Sequence, residues 1–306
     1  MNIAGIFPGQ GAQSVGMGKE FFDSDSAARD IFALADRTLG FSISKLCFEG
    51  PIEQLTLTAN VQPAILVTSY VAFKLARIPV GAAAGHSLGE YSALVAAQSL
   101  AFEDAIGLVN KRGRYMQEAV PVGEGKMVAV IGPSPEEINF CLSQINAGVA
   151  EIANLNCPGQ TVVAGDVKGV DAFASAIQAV GGKVIPLNVS APFHCSLMKP
   201  AADALARDID AITFNAPTFP IYCNVSASAI TDGTAARQKL KEQVCASVQW
   251  TDSMLNMVNE QKITHAVEFG PAGVLTKLFK RIDPAVKTFA VSDTASLAKA
   301  RDTLFQ

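Results

Sequence analysis

Val80-Gly81-Ala82-Ala83-Ala84-Gly85-His86-Ser87-Leu88-Gly89-Glu90-Tyr91 is the stretch on which the reading of this 306-residue chain turns. Val80–Ala84 is small and apolar, lies between Pro79 and Gly85, and has the length of a buried strand. Tyr91–Ala97 has the composition of a helix. Between them Gly85-His86-Ser87-Leu88-Gly89 fits G-x-S-x-G, in the strand–turn–helix setting that gives the pattern its meaning. A sharp turn there holds the serine hydroxyl in the open. The glycines stand where side chains would collide with neighbouring elements, and the start of the helix offers free N–H groups to a developing oxyanion. The bland alternative is a Gly/Ser turn without chemistry. The strand and helix on either side favour Ser87 as an activated nucleophile.

Outward from this turn the alternation continues. Ile3–Phe7 reads as a short buried strand, and Val61–Arg77 and Phe102–Glu118 as helices, which predicts an α/β layer with a largely parallel sheet. Pro121-Val122-Gly123-Glu124-Gly125 reads as a linker, and the rhythm then changes. Met127–Ile131 is a strand, Pro135–Ile145 a helix capped by Ser134, and Ala150–Leu155 and Thr161–Ala164 are strands joined at Asn156-Cys157-Pro158-Gly159. A helix over Val170–Val180 and a strand over Lys183–Val189 complete the order β-α-β-β-α-β, the ferredoxin-like pattern. The expected organisation is a larger domain of residues 1–123 and 191–306 with a subdomain of residues 124–190 inserted in it. The chain then returns to α/β material, with strands at Ile221–Val225 and Thr264–Phe269 and helices over 197–208, 251–260 and 272–281.

Composition limits the function. The residues are 49% hydrophobic and 17% charged, as in a globular enzyme with a sizeable core. The net charge of −4 and the scattered Lys and Arg residues leave no footprint for nucleic acid. Ile3–Phe7 is ended at once by Pro8-Gly9, so no signal peptide is expected. No stretch reaches the ~20 apolar residues of a membrane span. Six cysteines, at 47, 141, 157, 195, 223 and 245, show neither C-x-x-C nor zinc-ligand spacing, which points to buried reduced thiols in a cytoplasmic protein with no metal site.

A serine nucleophile needs a base, and there are three histidines. His86 adjoins Ser87 on a tight turn, where neighbouring side chains point apart, and reads as structural. His265 lies in an apolar strand and reads as a core or strand-end residue. His194 lies in the loop Ser190-Ala191-Pro192-Phe193-His194-Cys195-Ser196 just after a strand, where catalytic residues concentrate, and is the choice for the base. No acid stands out as the third member. Gln249, in Val248-Gln249-Trp250, is a candidate through an acceptor oxygen. Pro8-Gly9-Gln10-Gly11-Ala12-Gln13 fails as a phosphate loop, because Gln13 and Glu20 stand where Gly and Ser or Thr are required. It reads instead as a loop whose N–H groups add to an oxyanion hole. Arg112, in Lys111-Arg112-Gly113-Arg114, is by default part of a surface cluster. Facing a site, it can pair with a substrate carboxylate.

Taken together, Phe7–Gly11, Gly85–Tyr91, Arg112 within Lys111–Ala119, Asn154–Gln160, Pro192-Phe193-His194, Val248-Gln249-Trp250 and Glu268-Phe269-Gly270-Pro271 run in a familiar order over nearly the whole chain. In these segments the sequence resembles the malonyl-CoA:acyl carrier protein transacylases of bacterial fatty-acid synthesis. The resemblance implies an α/β-hydrolase-like core with a ferredoxin-like subdomain. It makes Ser87 the acylated nucleophile, His194 its base, and Gln249 the residue that orients His194 through its backbone carbonyl. It makes Gln10 and Leu88 the oxyanion-hole donors, Arg112 the clamp for the malonyl carboxylate, and Asn154 and Phe193 substrate-binding residues. Phe193 resembles the malonyl-selective members, since relatives that take methylmalonyl carry a smaller residue there.

The implied reaction is ping-pong, with malonyl-CoA as substrate, acyl carrier protein as partner and a malonyl-Ser87 intermediate. No resident cofactor is implied, because the partner carries the phosphopantetheine. A monomer is expected, with no nucleic acid or membrane partner. Alternatives are a trans-acting acyltransferase of a polyketide synthase, a serine thioesterase or hydrolase, and a non-catalytic carrier-binding module. Lys277, Lys280 and Arg281, at i, i+3 and i+4, form either a docking face for an acidic carrier or a solvated face.

Overall fold

The computed structural model describes residues 1–189 and 191–305. Ser190, the first residue of the His194 loop, and Gln306 lie outside the described residues. The strands are β1 (Ile3–Phe7), β2 (Ala82–Gly85), β3 (Gly125–Ile131), β4 (Ala150–Cys157), β5 (Gln160–Asp166), β6 (Lys183–Pro186), β7 (Ile221–Tyr222), β8 (Ala229–Ile230), β9 (His265–Phe269) and β10 (Lys287–Val291). One sheet has the order β10-β9-β1-β2-β7-β8, parallel throughout except for the β7–β8 pair. The other has the order β4-β5-β3-β6 and is antiparallel throughout. The fold is therefore mixed α/β, with a parallel sheet and a separate antiparallel one.

The parallel sheet is covered on both faces, which is why β1 is apolar at consecutive positions and buried at each of them. β1 pairs with β2 in the register Ala4↔Ala82 to Phe7↔Gly85. Parallel pairing puts the carboxyl ends of both strands at one edge. The Pro8–Gln13 loop and the Ser87 turn therefore emerge side by side, where open α/β sheets place their ligands. Helix Thr58–Ala76 is buried along most of its length and packs on helix Phe102–Glu118 and on the sheet. The two helices approach so closely that a Cβ on Gly113 would stand 2.3 Å from the carbonyl oxygen of Thr58.

The antiparallel sheet is joined to the parallel-sheet body through its edge strand. Asn154 in β4 bridges Val248, with Leu155 N–H donating to the Val248 carbonyl at 2.9 Å and Val248 N–H to the Ala153 carbonyl at 2.8 Å. Ser134 opens its helix with a full capping box, its hydroxyl on Glu137 N–H and the Glu137 carboxylate on Ser134 N–H.

Several boundaries differ from the sequence expectation. The strand at Ile221 ends at Tyr222, because Asn224 gives its N–H to the Glu90 carboxyl and its side chain to the Ser87 turn. β6 stops at Pro186, one residue before Leu187 N–H donates to the Met127 carbonyl at 3.0 Å. β4 and β5 run further toward each other, leaving Pro158-Gly159 as the turn, and Gly125 belongs to β3 rather than to a linker. Helices at Lys19–Ser24, Ser26–Leu39, Ile43–Glu49, Ile52–Leu55, Gly233–Gln243 and Thr294–Phe305, and strand β10, add to the elements expected.

Candidate active site

Two glycines let the Ser87 turn close. A Cβ on Gly85 would meet the carbonyl carbon of Gly89 at 1.8 Å, and one on Gly89 would meet the carbonyl oxygen of Phe7 at 2.0 Å. The turn therefore doubles back on itself and presses on β1. Ser87 sits in the left-handed region with φ 52°, a strained position for a residue with a side chain, and its surroundings must hold it there. Asn224 does so on two sides. Its Oδ1 accepts the Ser87 N–H at 2.7 Å, and its Nδ2 donates to the Gly85 carbonyl at 2.7 Å. The neighbouring His86 is half-buried and turned to β4, with Nε2 2.8 Å from Asn156 Oδ1.

Ser87 Oγ lies 2.7 Å from His194 Nε2. Nδ1 of the same ring lies 3.0 Å from the Gln243 carbonyl oxygen and 3.1 Å from that of Ala246. Carbonyl oxygens only accept, so Nδ1 carries the proton and the Nε2 lone pair faces the serine hydroxyl. Gln243 is the last residue of helix Gly233–Gln243, where carbonyls have no partner within the helix and the dipole is negative.

This arrangement corrects the expectation for Gln249. Its carbonyl accepts from Ser253 N–H at 2.9 Å and Ser253 Oγ at 2.7 Å, because Gln249 is the N-cap of the next helix, Trp250–Gln261. Burial, with the charge of Arg112 adding to it, pushes the His194 imidazole down to about 3. The ring is thus neutral at physiological pH. His265 stands at the start of β9, hydrogen-bonded to Thr264. Cys195 is buried with Sγ 3.0 Å from the Pro192 carbonyl, and burial pushes its thiol up to about 12.

Arg112 is not on the surface but 1% exposed. One terminal nitrogen donates to Gln62 Oε1 at 2.8 Å, and the other to Gln243 Oε1 at 3.0 Å and Ser87 Oγ at 3.2 Å. The Tyr91 ring lies under the guanidinium at 5.4 Å. Among the described residues no carboxylate comes within ion-pair distance of Arg112. Its charge is held by neutral amides and a ring, and is free to pair with an anion at the serine.

Gln10, Leu88, Arg112, Asn154, Phe193, His194 and Ser87 line one cavity of about 110 Å³, with Gln62, Met116 and Met127. Neither the Gln10 nor the Leu88 backbone N–H has a hydrogen-bond partner among the described residues. The two lie on adjoining loops beside Ser87, while the Ser87 N–H is taken by Asn224. Among the described residues no group of three or more His, Cys, Asp or Glu side chains is placed to hold a metal ion, and no helix is long and apolar enough to cross a membrane.

The acyl transferase domain family matches residues 5–281. The chain is 44% identical to the malonyl CoA-acyl carrier protein transacylase of Bacillus subtilis (strain 168), over 99% of this chain and 97% of that protein. It is 43% identical to the protein of the same name from Escherichia coli (strain K12), over 97% and 98%. Among solved structures, an acyl carrier protein S-malonyltransferase from Vibrio cholerae superposes with a TM-score of 0.95 at 39% identity, covering 98% of this chain and all of that one. A malonyl-transacylase in complex with its type II PKS acyl-carrier protein superposes with a TM-score of 0.96, also at 39% identity, covering 99% of this chain and all of that one. The chain is an acyltransferase that belongs to the acyl transferase family and, within it, to the malonyl-CoA:acyl carrier protein transacylases.

Proposed function

We propose that this protein moves a malonyl group from malonyl-CoA to the phosphopantetheine thiol of acyl carrier protein through a malonyl-Ser87 intermediate. The observation that carries the reading is the buried Arg112 guanidinium, 3.2 Å from the nucleophile and without a carboxylate partner among the described residues. His194 Nε2 takes the Ser87 proton as Oγ attacks the thioester carbonyl. The oxyanion rests on the N–H groups of Gln10 and Leu88, each such donor lowering the barrier by about 3 kcal/mol. His194 returns the proton to the leaving CoA sulfur. The carrier thiol then gives its proton to His194, attacks the acyl-serine, and Ser87 is regenerated. One thioester replaces another, so the exchange is nearly balanced and reversible.

Arg112 has a second effect in this cycle. Its charge disfavours a protonated His194, and pairing with the malonyl carboxylate offsets that charge. Asn154 and Phe193 close the cavity around the acyl chain, Phe193 leaving little room for a branched one. Two backbone carbonyls, of Gln243 and Ala246, take the place of a triad acid.

The antiparallel sheet and its two helices, in the order β-α-β-β-α-β, support a ferredoxin-like subdomain of residues 124–190 inserted in an α/β-hydrolase-like body of residues 1–123 and 191–306. We take the protein to be a cytoplasmic monomer without a resident cofactor. The polyketide relative that binds its own carrier protein favours one second reading, service to a polyketide carrier.

Assays with malonyl-, methylmalonyl- and acetyl-CoA against fatty-acid and polyketide carrier proteins test the reading. Malonyl transfer to the fatty-acid carrier is expected to be fastest. Arg112→Ala is expected to lose about 10²-fold in malonyl transfer, the ~3 kcal/mol of a two-pronged charge-assisted pair, and to spare acetyl transfer. Equal loss for both acyl groups would show that Arg112 is only structural.

A further inference from the structure

Glu90 is a fully buried carboxyl directly behind the nucleophile, and the transfer steps do not use it. Its Oε2 accepts from Gln243 Nε2 at 2.8 Å and from Asn224 N–H at 3.1 Å, while Oε1 has no partner. Gln243 is the hub of the site. Its Nε2 also donates to the Ser87 carbonyl at 3.0 Å, its Oε1 accepts from Arg112, and its backbone carbonyl accepts from His194.

A side-chain amide can be seated in two ways. With oxygen and nitrogen exchanged, an NH2 group would face the Arg112 guanidinium, which has no acceptor to offer. Glu90 Oε2 and the Ser87 carbonyl both accept and neither donates, so together they keep the NH2 on their own side. Of the two, the carboxyl is the stronger acceptor when ionised.

We propose that Glu90 is a positioning residue of the acyl pocket, whose carboxyl fixes the Gln243 amide so that Oε1 meets Arg112 and sets the carboxylate clamp. The proposal rests on the reading that Arg112 binds the malonyl carboxylate. Placing the carboxyl one amide away from Arg112 has a consequence for binding. A carboxylate in direct contact would compete with the acyl group for the guanidinium, whereas Gln243 passes on orientation and leaves the charge available. Burial pushes the Glu90 carboxyl up to about 7, and a proton on the unpartnered Oε1 leaves Oε2 accepting, so the role holds in both protonation states.

The test is the ratio of malonyl-CoA to acetyl-CoA in kcat/KM for wild type, Glu90→Leu and Glu90→Gln, with folding checked by near-ultraviolet circular dichroism. Glu90→Leu removes the acceptor, and its malonyl preference is expected to fall about tenfold or more while acetyl transfer persists. Glu90→Gln can offer its carbonyl oxygen to both N–H donors and is expected to keep the preference within about threefold. Equal loss of both activities in Glu90→Leu, or a Glu90→Gln enzyme as unselective as Glu90→Leu, would overturn the proposal. If Glu90→Leu does not fold, Gln243→Met cuts the same link and is expected to show the same fall in preference, and an unchanged preference there overturns it. A wild-type enzyme with no malonyl preference would overturn this proposal and the Arg112 reading together. A wild-type preference that survives Glu90→Leu overturns this proposal alone.

Discussion

Ser87 and His194 both sit at positive φ, 52° and 61°, so each end of the 2.7 Å bond between them is held by backbone that its surroundings force into place. The imidazole at that bond carries a pH signature. An ordinary histidine, with a value near 6.5, would leave only about 3% of the enzyme with a neutral base at pH 5. His194 is pushed down to about 3 by burial and by Arg112, and in the proposed cycle the neutral ring is the base, so activity should persist above that value and fall only below it. Single-turnover acylation is therefore expected to change little between pH 8 and pH 5, and a midpoint near 6.5 would contradict this electrostatic picture. The pairing of Ser87 with His194 was legible in the sequence because each lies in a short contiguous pattern of distinctive residues. The partner of His194 was not, because it is a peptide carbonyl, a group every residue carries. Gln249 was named for an oxygen that caps a helix, while Gln243, at a helix end the sequence reading had not found, supplies the bond.

Helices Thr58–Ala76 and Phe102–Glu118 bring Gln62 to Arg112, and they come into close contact at Gly113, next to the arginine. Gly113→Ala would place a methyl group 2.3 Å from the Thr58 carbonyl oxygen and force the helices apart. A cost of about 1–3 kcal/mol is expected, seen as a lower melting temperature, together with a lower malonyl-to-acetyl ratio as Arg112 draws away from Gln62. A melting temperature and ratio equal to wild type would show that the helix pair does not set the arginine. Most long elements were readable from hydrophobic length and turn residues. The helix Ser26–Leu39 shows its buried stripe at Ala28, Phe32 and Ala35, a helical spacing that sequence reading passed over. Asn224 lay hidden for a different reason. Its apolar neighbours in Ile221–Val225 read as a strand, and only the folded chain carries it across 137 residues to the Ser87 N–H.

At the scale of the molecule, the cavity lies where the carboxyl edge of the parallel sheet meets the antiparallel sheet fastened through Asn154 and Val248. Helix Val274–Ile282 stands beside this junction. Lys277, Lys280 and Arg281 are exposed on it, and Arg281 also donates to the Pro158 carbonyl at 2.7 Å. If this helix receives an acidic carrier, Lys277→Glu with Lys280→Glu should raise the carrier concentration needed for half-maximal transfer several-fold, more at low salt, and leave acylation by malonyl-CoA unchanged. Unchanged carrier kinetics would make the helix a solvated face. The transfer cycle depends on one covalent event, the arrival of malonyl on Ser87 before any carrier is present. The direct measurement is the mass of the peptide that contains Ser87 after incubation with malonyl-CoA alone. An increase of one malonyl group on that peptide is expected, absent in Ser87→Ala; no adduct, or an adduct that survives Ser87→Ala, would contradict a malonyl-Ser87 intermediate.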